Sequence, residues 1–125
     1  MRVVVIGTGY VGLVAGACFS DAGNEVTCVD IDAKKTEALK RGEIPIYEPG
    51  LDTLVKRNTT DGRLKFTTST AEAMAGAEIV FLAVGTPPLP SGDPDLSYLK
   101  AASEQVARAL KGYAIIVNKS TVPIG

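Results

Sequence analysis

The chain has 125 residues and a formal net charge of -1, from 13 Lys and Arg against 14 Asp and Glu. Hydrophobic residues make up 46% and charged residues 22%, the mix of one folded domain, which excludes a disordered tail and a collagen-like repeat. Histidine is absent and cysteine occurs twice, so this chain offers no His base, no His metal ligand, no four-thiolate zinc site and no disulfide framework, and without a block of like charge neither nucleic acid nor an anionic membrane is an expected partner.

The first predicted element is a buried parallel strand from Val3 to Ile6, a β-branched run that stops at Gly7. From Tyr10 to Ala22 the residues are small and apolar, which predicts a helix packed closely on a sheet and stopped by Gly23 and Asn24. Gly7, Gly9, Gly12 and Gly16 interrupt this region, so neither a signal peptide nor a membrane span is expected, and the chain reads as cytoplasmic with reduced thiols. Glu25 to Asp30 is a second strand ending in an acid. Asp32 is placed to cap a helix that runs to about Lys40 and ends at Gly42.

A turn-rich connection, Glu43 to Gly50, leads to a helix over Leu51 to Asn58, with Leu51, Leu54 and Val55 on one face. A short strand follows at Leu64 to Thr67, then a brief helix capped by Ser69 or Thr70 with Glu72 in its first turn. The next buried strand is Glu78 to Val84. Residues 85–94 form a rigid loop holding four of the seven prolines. Asp95 can cap a helix to about Leu110, ended by Gly112, and Ala114 to Val117 is the fifth strand.

Strands alternating with helices predict an α/β fold with a doubly wound parallel sheet, ordered 3-2-1-4-5, in a single domain over residues 1–125. A full dinucleotide-binding (Rossmann-type) sheet has a sixth strand, so the reading here is of such a domain lacking its last strand, a fragment of a longer enzyme.

Gly7-Thr8-Gly9-Tyr10-Val11-Gly12 falls between a strand and a helix, the setting that gives a G-x-G-x-x-G motif its meaning. The first glycine permits the tight turn, the second lets the backbone approach a pyrophosphate, and the third lets helix and strand pack closely. The helix N-terminus then presents free N–H groups to phosphate. Asp30 lies close to the ~20-residue spacing expected for the ribose acid. A carboxylate there accepts from ribose hydroxyls and repels a 2′-phosphate, which favours NAD over NADP. Lys35, one helical turn on, can reach the ribose or phosphate edge or simply sit in solvent. Cys18 and Cys28 read as small core residues, leaving no credible nucleophile. Thr86 and Thr121 follow strands four and five, where ligands of open α/β sheets sit. From position alone each hydroxyl either faces a cofactor or satisfies its own backbone.

Several stretches together carry a family resemblance: GTGYVGLVAGACFSDAGNEVTCVDID (Gly7 to Asp32), GEIPIYEPGL (Gly42 to Leu51), FLAVGTPP (Phe81 to Pro88), DLSYL (Asp95 to Leu99) and KSTVPIG (Lys119 to Gly125). They span nearly the whole chain, and IPIYEPGL and STVP are more specific than the glycine motif. The chain resembles the NAD-binding domain of the UDP-glucose/GDP-mannose dehydrogenase family, and the YEPGL wording looks more like its UDP-glucose branch. The resemblance implies oxidation of UDP-glucose to UDP-glucuronate with two NAD+, through a thiohemiacetal and then a thioester on a cysteine. It implies that Gly7, Thr8, Gly9, Tyr10, Val11 and Gly12 hold the pyrophosphate and that Asp30 and Lys35 hold the adenosine ribose. Thr86 and Thr121 would line the nicotinamide side, Thr121 also helping to place an active-site water. It further implies that the nucleophilic Cys, the central dimerising helix and the nucleotide-sugar domain lie outside this chain, so that the chain alone binds NAD without turnover and the intact enzyme is a homo-oligomer. Two alternatives remain open at this point: a GDP-mannose or other nucleotide-sugar 6-dehydrogenase, and a non-catalytic NAD-sensing module.

Overall fold

Parallel pairing of five strands organises the chain, described over residues 1–124 in a computed structural model. The strands are β1 (Arg2–Ile6), β2 (Glu25–Val29), β3 (Leu64–Thr67), β4 (Ile79–Leu82) and β5 (Ile115–Asn118), in the order β3-β2-β1-β4-β5. The helices are α1 (Tyr10–Asp21), α2 (Ala33–Lys40), α3 (Leu51–Thr60), α4 (Thr70–Ala73) and α5 (Ser97–Ala109). This is the doubly wound α/β architecture expected from the sequence. Gly125, the last residue of the KSTVPIG stretch, lies outside the described residues.

The pleat of β1 divides the core. Val3 and Val5 join Leu13, Ala17, Val26, Leu39 and Val55 beneath α1, α2 and α3. Val4 and Ile6 face the other way, onto Met74, Val80, Ala102 and Val106 beneath α4 and α5. Burial on both faces explains why the strand reads as an unbroken apolar run. Helix α1 lies so close to β2 that a methyl group at Gly16 would stand 2.6 Å from Cys28 Sγ. Neighbouring β1 and β4 are the strands between which the chain reverses its winding, and ligand clefts open at their carboxyl ends.

Several boundaries differ from the sequence expectation. β4 ends at Leu82, not Val84, because its ladder ends where Leu82 pairs with Ile6 and Asn118. β5 is shifted by one residue, to Ile115–Asn118, and α3 continues to Thr60. Leu96, not Asp95, occupies the N-cap of α5. The Asp95 carboxylate instead accepts from the Ser97 N–H at 2.9 Å. Cys18 is exposed, contrary to the core position expected, whereas Cys28 is buried as expected. The buried residues of α1 are Gly12, Leu13, Gly16, Ala17 and Ser20, and the residue after Ala17 is turned about 100° away from it.

The proline-rich segment between β4 and α5 folds back on itself. Pro88 and Pro94 form an antiparallel bridge, Leu89 N–H donates to Asp93 O, and Asp95 N–H donates to Pro87 O.

Candidate functional site

The glycine turn closes the top of β1. Gly7 has φ +107°, a left-handed conformation suited to glycine, and a Cβ there would lie 2.4 Å from Ala83 O. Its N–H donates to Val29 O at 2.7 Å, tying the turn to the end of β2. A Cβ on Gly12 would meet Gly7 O at 2.0 Å, so α1 reaches its position only without a side chain there. Gly9 is the N-cap of α1 and no side chain caps the helix. The first-turn N–H groups and the positive end of the helix dipole therefore face the mouth of the turn.

Asp30 follows β2, and its N–H donates to Thr67 O at 3.1 Å. Its side chain is held from three sides. Oδ2 accepts from Thr8 Oγ1 at 2.5 Å and from the Thr8 N–H at 3.2 Å, with Lys35 Nζ at 3.7 Å. Oδ1 accepts from the Asp32 N–H at 3.0 Å and keeps a lone pair for a ligand. Burial pushes the Asp30 carboxyl up, but the Thr8 hydroxyl, the Asp32 N–H, the Lys35 charge and the Thr8 N–H outweigh it, so the pKa lies below the usual 3.8. The carboxylate is thus ionised and oriented. Lys35 owes its position to Asp32, which caps α2 by accepting from the N–H groups of Lys34 and Lys35.

These residues form one wall of a cleft of about 340 Å³ lined by Gly7, Thr8, Gly9, Asp30 and Lys35. The opposite wall was not legible in the sequence. It comprises Thr70 of α4 with Tyr98, Ala101 and Gln105 of α5, and Gly85 and Pro87 stand at one end. A larger hollow of about 720 Å³ runs along β3 and the amino ends of β1 and β2, away from the glycine turn. There Arg2 pairs with Glu25, Arg63 with Asp61 and Lys40 with Glu37.

The other candidate residues fall as follows. Thr8 is 1% exposed, and its hydroxyl is engaged by Asp30. The Tyr10 phenol turns outward and donates to Glu48 Oε2 at 3.0 Å. That bond and the Glu48 charge raise its pKa. Val11 is exposed on α1. Thr86 is half-buried between Gly85 and Pro87, and Thr121 is exposed just beyond β5; neither lines the cleft. Ser120, which sequence reading passed over, pins that segment to the end of β4 and the residues after it, its N–H donating to Leu82 O at 3.1 Å and its Oγ to Val84 O at 2.8 Å. Among the described residues no three His, Cys, Asp or Glu side chains gather as metal ligands, and no helix is long and apolar enough to cross a membrane.

Comparison with known proteins gives the geometry a family context. A family model described as "UDP-glucose/GDP-mannose dehydrogenase family, NAD binding domain" matches residues 1–125. The chain is 53% identical over 124 residues to the UDP-glucose 6-dehydrogenase TuaD of Bacillus subtilis, covering 99% of this chain and 27% of that protein. It is 52% identical over 126 residues to the UDP-glucose 6-dehydrogenase of Rhizobium meliloti, covering 100% of this chain and 29% of that one. Among solved structures, GDP-mannose dehydrogenase of Pseudomonas aeruginosa superposes with a TM-score of 0.93 at 36% identity, over 98% of this chain and 29% of the other. A UDP-glucose dehydrogenase from Pyrobaculum islandicum gives 0.92 at 43% identity, over 97% and 29%. The chain thus spans well under a third of the length of these relatives.

Proposed function

The chain belongs to the UDP-glucose/GDP-mannose dehydrogenase family, as its NAD-binding domain, and we propose that it is the cofactor half of a UDP-glucose 6-dehydrogenase. The observation that carries this reading is the cleft wall that unites the glycine turn, the free N-terminus of α1, and an ionised Asp30 beside Lys35. The site fits the cofactor by its donor set: N–H groups for a pyrophosphate and an oriented carboxylate for ribose hydroxyls. The higher identity to UDP-glucose enzymes supports UDP-glucose over GDP-mannose as the sugar nucleotide.

In this reading NAD+ supplies the hydride acceptor for oxidation of the sugar C6 alcohol to the carboxylate of UDP-glucuronate, two per sugar. The backbone from Gly7 to Gly12 holds the pyrophosphate, with Thr8, Tyr10 and Val11 contributing as parts of that turn. Asp30 and Lys35 hold the adenosine ribose. Thr86 and Thr121 take the nicotinamide side, Thr121 also placing a water, as their positions after β4 and β5 suggest. The thioester of the family reaction needs a cysteine that Cys18 and Cys28 do not supply, since neither lines the cleft. Residues 1–125 therefore act as the dinucleotide-binding domain and bind NAD without turning over the sugar. The full enzyme, with a nucleotide-sugar domain, is proposed to be a cytoplasmic homo-oligomer.

Calorimetric titration with NAD+ and NADP+ tests the reading. NAD+ is expected to bind more tightly, and Asp30→Ala to weaken NAD+ and narrow the difference. Equal binding of the two dinucleotides, or an Asp30→Ala protein that binds NAD+ like the parent, refutes it.

A further inference from the structure

The cleft wall facing Asp30 joins two elements far apart in sequence. Thr70 Oγ1 donates to Gln105 Oε1 at 3.1 Å, linking α4 to α5. Both residues line the cleft, and so does Ala101, one turn before Gln105 on the same side of α5. On the opposite lip Ile31 follows Asp30 directly, and it is 78% exposed although it lines the cleft. A ligand group lying there meets apolar surface from Ile31 and Ala101 on its faces and an amide at its edge. Because Oε1 accepts from Thr70, the amide keeps one lone pair on Oε1 and both donors on Nε2. A base attached to a ribose held by Asp30 falls against the residue that follows Asp30. The edge of adenine carries an amino donor beside a ring-nitrogen acceptor, the complement of a carboxamide.

We propose that Gln105, oriented by Thr70, reads the base edge of the bound dinucleotide and makes the site selective for adenine, with Ile31 covering the ring. The inference rests on the reading of this cleft as the NAD site. Hypoxanthine replaces the amino donor by a carbonyl acceptor and protonates N1. An amide can match that edge only by flipping, which turns Nε2 toward Thr70, so that the hydroxyl accepts from Nε2 and its own proton loses the Gln105 acceptor. Gln105 is the base-contacting residue, and Thr70 is a positioning residue that acts through it.

The test is calorimetric titration of the protein with NAD+ and with nicotinamide hypoxanthine dinucleotide. The parent is expected to prefer NAD+ by about fivefold, the low end for a paired base edge because Gln105 stands at an exposed rim. Gln105→Leu should bring the two affinities together, chiefly by weakening NAD+. Thr70→Val should shrink the ratio part of the way, an effect that a merely structural link between α4 and α5 would not produce. Asp30→Ala should weaken both dinucleotides alike and leave the ratio intact. Equal affinities in the parent, or a preference that survives Gln105→Leu, overturns the base reading and leaves the NAD site standing. A folded parent that binds neither dinucleotide overturns both.

Discussion

Replacing Thr8 by valine keeps the β-branched shape and removes one buried hydroxyl. That hydroxyl stands 2.5 Å from Asp30 Oδ2, and the Asp30 side chain is 15% exposed. Hydrogen bonds to charged groups contribute about 1.5–3 kcal/mol. Asp30 keeps the Thr8 and Asp32 N–H groups and Lys35, so the low end, about 1.5 kcal/mol, is expected at neutral pH. For a domain of this size that lowers Tm by about 5 °C. The pH dependence follows from the depressed Asp30 pKa. Its stabilisation is fully present above the ordinary value of 3.8 and is lost as pH falls through the lower folded value. Thr8→Val raises the folded value, so the variant contributes less and loses that contribution at higher pH. Circular dichroism melts at pH 7 and across the acid range should show the gap between the proteins closing as Asp30 protonates. A variant as stable as the parent at pH 7, or a gap that holds constant through the acid range, refutes the reasoning.

Gly16→Ala is expected to destabilise by about 1–3 kcal/mol in denaturant titrations, because the new methyl would stand 2.6 Å from Cys28 Sγ. Adding Cys28→Ala should return part of that loss, so the double variant is more stable than the two single effects sum to. Under native conditions a disulfide-exchange reagent should titrate one thiol, that of Cys18. Cys28, fully enclosed with its pKa pushed up to about 12 by burial, should react only after denaturation.

Local signals carried most of the fold. The β-branched run before Gly7, the glycine spacing, Asp30 and the Asp32 cap each act within a few residues, and the strand order followed from their alternation. The misplaced details depend on partners far along the chain. The end of β4 is set by where Ile6 and Asn118 stop pairing, which composition does not encode. Cys18 escaped because α1 is small and apolar on every side, so periodicity does not reveal the face that meets the sheet. The cleft was half legible: the wall built from one βαβ unit has a motif, whereas Thr70 and Gln105 meet only through tertiary packing. The inward turn of Thr8 was hidden for the same reason, since its partner Asp30 comes from the next strand.

The back-folded segment after β4 has a thermodynamic consequence for whatever enters the cleft. Proline fixes φ at Pro87, Pro88, Pro90 and Pro94, and each such restriction can be worth about 0.4–1 kcal/mol by removing freedom from the unfolded chain. With its cross-links at Pro87 and Leu89 already made, the segment holds Gly85 and Pro87 at the rim in near-final form. Association at this rim then surrenders little chain entropy, which lowers the ordering part of the cost of binding.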